Sequence, residues 1–207
     1  MKRITILVTT LALTLAAGCK GKDKDAGGGA AGKTAEPGKA ADTAKGPTLT
    51  INEADWVEKD LTTVSPMIHV TMKVPKDAKL EKNGNGGVDI TLAPHYVITV
   101  SNMAVSNAAE ALANRKALTL EHTGYINGKV LTEEPNGFIY TMQMKTEENG
   151  NTYQPEVHWA VALDKEGAIY LIYDERSMDG FSTPGSAWSE ALAKQVYAIV
   201  KASAKAT

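Results

Sequence analysis

The chain has one cysteine in 207 residues, at position 19. With Cys19 alone, an internal disulfide, a paired-thiol redox site and a thiolate metal cluster are all excluded. Basic charge is scarce as well. From Thr48 onward 14 Lys plus Arg face 20 Asp plus Glu, a balance of about −6, so the basic face that nucleic-acid binding needs is missing. No apolar run reaches the roughly 18 residues of a membrane span; Ile4 to Ala17 comes closest.

The familiar chemical motifs are missing too. None of the four histidines (His69, His95, His122, His158) has a histidine partner four residues on or an H-E-x-x-H setting, the spacing that puts two zinc ligands on one helical face. Gly180 to Ser186 lacks the G-x-S-x-G spacing of a serine nucleophile elbow. Gly84 to Gly87 is not followed by Lys-Ser/Thr, and Asp174-Glu175 with Asp179-Gly180 lacks the alternating oxygen ligands of a calcium loop. The expectation is no metal, no cofactor and no catalytic residue.

What is present begins at the N-terminus. Lys2 and Arg3 form a short basic region, Ile4 to Ala17 is rich in Leu, Thr and Ala, and small residues follow; together these describe a secretory signal. The segment Leu15-Ala16-Ala17-Gly18-Cys19 resembles the lipobox of bacterial lipoproteins, with Ala16 where that pattern favours Leu. The resemblance implies a signal peptide over residues 1–18 and lipid, palmitate included, on Cys19. A plain signal peptide cut after Ala17 or Gly18 is the alternative, but it leaves a free thiol in an oxidising compartment. Lys20 stands where Asp marks retention at the inner membrane in enterobacterial sorting. The resemblance therefore implies an envelope protein facing the periplasm or outside, at the outer membrane rather than the inner.

Residues 19–47 read as the lipidated cysteine and a flexible linker. Seven Gly and seven Ala occur between 20 and 47, with no large apolar side chain, so nothing there offsets the entropy of ordering. As a coil it spans about 30 Å. Its six lysines alternate with four acids, the pattern of a solvated spacer rather than a basic membrane-binding patch.

Residues 48–207 suffice for a single domain. Ile68 to Val74 and Val88 to Leu92 alternate with period two, Gly84 to Gly87 supplies a turn, and Tyr96 to Val100 is extended; these predict an N-terminal antiparallel unit. Lys129 to Glu133, Phe138 to Met144, Val157 to Leu163 and Ala168 to Asp174, joined by turn residues, predict a meander of four strands. Asn107 with Glu110 predicts a capped helix from Ala108 to Leu120. Trp188, Leu192, Val196 and Ile199 fall on one face of a closing helix after Thr183-Pro184. The class is α+β, an antiparallel sheet with helices packed on it. In the strand end at Val70 to Pro75, the helix Asn107 to Leu120 and the closing helix through Tyr197-Ala198-Ile199-Val200, the layout resembles the PsbP-like family. That resemblance implies an α/β/α sandwich and carries over no functional residue.

Two clusters are candidates for function. His69 and His158 occupy polar positions of two strands and would meet on one sheet face, with Asp89, if those strands were neighbours; ordinary surface histidines are the plainer reading. The strands 138–144, 157–163 and 168–174 are apolar on both sides, with Ile139, Ala160, Ala162, Tyr170 and Ile172 read as opposite to Trp159, Val161, Ile169 and Leu171. Something must cover the second face. Either a helix does, or Ile139, Tyr170, Ile172 and His158 line a groove for an envelope protein or small ligand. The functional expectation is a membrane-anchored, non-catalytic binding or assembly module, the alternative being an envelope hydrolase whose site comes from residues distant in sequence.

Overall fold

A computed structural model describes residues 50–93, 96–121, 123–145, 155–175 and 190–207. The signal segment, Cys19, the linker, His95, His122 and the 180–186 loop lie outside these residues.

Ten strands and two α-helices make up the described chain, an α+β protein in which every strand pairing is antiparallel. The strands are β1 (Trp56–Asp60), β2 (Val70–Pro75), β3 (Lys79–Lys82), β4 (Val88–Ala93), β5 (Tyr96–Met103), β6 (Tyr125–Glu134), β7 (Gly137–Met144), β8 (Glu156–Lys165), β9 (Ala168–Glu175) and β10 (Lys205–Ala206). Helix α1 covers Ala108–Leu120 and α2 covers Glu190–Ser203. Seven strands form one sheet in the order β3-β4-β5-β9-β8-β7-β6, and the other three form a small sheet, β1-β2-β10.

Local chemistry sets these elements. In β2 the alternation buries Val70, Met72 and Val74 while Thr71 and Lys73 stay partly exposed, as period two requires of a strand with one face on the core. The β8–β9 hairpin turns through Glu166 and Gly167, both with positive φ (53° and 85°), the backbone of a two-residue turn whose twist matches the flanking strands. Helix α1 starts at Asn107, whose side chain accepts the Glu110 amide hydrogen at 2.9 Å, while the Glu110 carboxylate accepts the Ser106 amide at 2.9 Å. One of the amides that a helix start leaves unpaired, that of Glu110, is thereby satisfied, and the residue ahead of the cap is tied to the first turn.

Strand β2 does not join the unit of β4 and β5; it belongs to the small sheet, and the turn at Gly84 to Gly87 connects β4 instead to β3. That strand is four residues, K-L-E-K, and exposed except at Leu80, so it carries no apolar period to read. The face assignment also changes. The two-residue turn pairs Lys165 with Ala168, which sets Val161 opposite Ile172 and Ala162 opposite Leu171, and Ile139 lies opposite Trp159. Even positions on β9 therefore share a face with odd positions on β7 and β8, and a reading that is one residue out moves a strand's side chains to the other side.

One face of the large sheet, with Ile139, Trp159, Val161, Tyr170 and Ile172, packs into a core shared with α2 and the small sheet. The other, with Phe138, Tyr140, Ala160, Ala162, Ile169 and Leu171, packs with Ala111 and Leu112 of α1. Gly137 lets α2 approach closely. A Cβ there would lie 2.7 Å from the Tyr197 hydroxyl and 2.8 Å from the Ala160 carbonyl oxygen.

Candidate functional site

The described polar groups that could carry chemistry converge where β8 begins and β9 ends. Glu156 opens β8, and His158, two residues on, points to the same side. Tyr140 of β7 stands directly opposite His158, with ring centroids 5.7 Å apart. Asp174, paired with Ile98 of β5, brings its carboxylate to β8: one oxygen accepts the Trp159 amide hydrogen at 2.8 Å and the other lies 3.2 Å from His158 Nδ1. His158 Nε2 lies 3.3 Å from a Glu156 carboxylate oxygen. All three side chains are buried, at 5%, 2% and 1% exposure for Glu156, His158 and Asp174.

Donor counting fixes what this cluster can do. A neutral imidazole has one N–H, so both contacts are hydrogen bonds only when the three groups hold two protons between them, on the ring or on a carboxyl. Buried carboxylates are tolerable because each is hydrogen-bonded. With both ring nitrogens facing carboxylates, neither remains to activate a hydroxyl or to bind a metal ion. Among the described residues no group of three or more His, Cys, Asp or Glu is placed to hold a metal.

The surroundings reinforce the enclosure. Burial pushes the Tyr140 hydroxyl up, with the Arg115 charge opposing and Asp174 adding to the shift. Tyr96, whose hydroxyl accepts the Trp159 indole N–H at 3.2 Å, is pushed well above its ordinary range by burial and then by Asp174. Arg115 of α1 lies 3.9 Å over the Tyr173 ring, a cation–π contact that holds the helix across the sheet. Lys116 pairs with Glu133 of β6.

Of the residues singled out from sequence, Ile139, Tyr170 and Ile172 are interior, at 3%, 2% and 0% exposure, inside the core that includes α2. They form no open face. His158 lies on the opposite side, beside Tyr140, and is no surface histidine. His69 is exposed and precedes β2 in the small sheet, so it does not meet His158. Asp89 instead accepts hydrogen bonds from Asn83 and Thr99, each at 2.9 Å. Sequence reasoning missed Glu156 and Asp174. Their signal was parity: Glu156 alternates with His158, and Asp174 continues the buried row of Tyr170 and Ile172.

Among the described residues no helix is long and apolar enough to cross a membrane. No protein-family model and no curated protein sequence matches the chain.

Proposed function

We propose that this chain is a lipoprotein of the cell envelope, tethered through lipid on Cys19 and acting as a non-catalytic binding or assembly module. The lipobox-like Leu15 to Cys19 and the Gly/Ala spacer support the tether. Two or three acyl chains at about 0.8 kcal/mol per buried methylene suffice for stable anchoring, so the folded part needs no membrane-binding surface of its own. Lys20 favours the outer membrane. The helix–sheet–helix layering supports a PsbP-like sandwich, here with a small sheet beside α2.

One observation carries the non-catalytic half: the buried histidine has both ring nitrogens against buried carboxylates. A general base needs a free nitrogen within reach of the proton it takes. The partner is an envelope protein or a small ligand rather than nucleic acid, given the acid excess of the domain. An envelope hydrolase is the second reading, and it draws on the same Glu156, His158 and Asp174. Their enclosure places binding ahead of it.

Capture of the full chain from solubilised membranes, run beside turnover assays with envelope glycans, peptides and lipid esters, tests this reading. A specific co-purifying partner or ligand, with no turnover, is the expected result. Turnover that disappears in His158→Gln would overturn it.

A further inference from the structure

The two helices are held very differently. Helix α2 buries Val196, Tyr197, Ile199 and Val200 together with Ala193, whereas α1 buries only Ala111, Leu112 and Thr119. Leu112, at 6% exposure, is thus the single large apolar side chain that α1 buries. Ala108 and Leu120 are half-buried against the same core, and the rest of the α1 contact is polar at the rim: Arg115 over Tyr173 and Lys116 with Glu133. Nε of Arg115 is buried without an aligned hydrogen bond, while the Arg115 and Thr119 side chains of α1 both act on the Tyr140 hydroxyl and oppose the upward push of burial. Leu118 of the same helix is 60% exposed.

We propose that α1 is a detachable cover. It leaves the sheet by local opening, well below the free energy of global unfolding, and uncovers Phe138, Tyr140 and the enclosed His158. Elements with few buried apolar contacts open first. A 13-residue helix is marginal in water once its packing is lost, so detachment frees the α1 amides to exchange. This goes beyond the binding reading, which neither requires the opening nor fails with it.

Native-state hydrogen exchange of the full chain in detergent, resolved by peptide, tests the cover. The α1 amides are expected to exchange by an opening that depends little on urea, at least about a hundredfold faster relative to intrinsic rates than those of α2. Leu112→Ala should accelerate α1 exchange about tenfold or more and leave α2 unchanged. Should that variant not fold, Arg115→Gln removes the cation–π contact, keeps Leu112, and should accelerate α1 alone by a smaller factor. Equal opening free energies for α1 and α2, or a substitution that accelerates both helices alike, would overturn the proposal.

Discussion

Asp174 holds two partners at once, the backbone amide of Trp159 at 2.8 Å and Nδ1 of His158 at 3.2 Å. The registered pairs of β8 with β9 run from Lys165–Ala168 to Ala160–Tyr173, so this carboxylate takes up a strand amide just past the last of them. It links a histidine on one side of the sheet to a backbone otherwise placed with the opposite core. Asp174→Ala removes one partner of a buried pair and leaves the Trp159 amide without its acceptor. A loss of about 3–5 kcal/mol is expected in urea unfolding, and an unchanged midpoint would show that the contact does not hold the strands.

Gly137→Ala places a methyl group 2.7 Å from the Tyr197 hydroxyl and 2.8 Å from the Ala160 carbonyl oxygen. The ring can shift; the backbone carbonyl cannot. A destabilisation of about 1–3 kcal/mol is expected from such overpacking, with partial recovery in the double variant carrying Tyr197→Phe. Full recovery would assign the whole clash to the hydroxyl.

Glu134 receives the Lys201 ammonium and, at 2.7 Å, the Tyr197 hydroxyl. The Lys201 contact, then Tyr197, holds its carboxyl below the usual range. A lowered folded value means that the contribution to stability is complete above the ordinary carboxylate range and fades as the pH falls through the folded value. The stability gap between the native chain and Glu134→Gln should therefore narrow below about pH 4.5. A gap constant from pH 7 to pH 3 would contradict the assignment.

Asn107→Ala removes the side-chain acceptor of the Glu110 amide. About 1 kcal/mol of stability should be lost, with faster exchange confined to the first turn of α1. Asn107→Ser, which can still cap, should recover most of the loss.

The same residues show what could be read in advance. Helix α1 was legible to the residue because Asn107 and Glu110 are a local cap signal, and the β8–β9 hairpin because Glu166-Gly167 requires a positive-φ turn. The short strands β1, β3 and β10 were not, since their exposed residues carry no apolar period. Sheet membership of β2 and the pairing of faces depend on partners far along the chain, and alternation within one strand is silent on both. His158 was visible as a polar residue in an apolar strand, but its enclosure depends on Asp174, sixteen residues away across a hairpin. Cys19 is the reverse case, since its proposed role rests wholly on local sequence.

Lipid on Cys19 is directly measurable. Cells expressing the full chain would be given labelled palmitate, and the protein followed in membrane and soluble fractions beside Cys19→Ala. Label on the native chain in the membrane fraction, with no label on Cys19→Ala and that variant uncleaved or soluble, is the predicted result; equal labelling of both would contradict the lipid anchor.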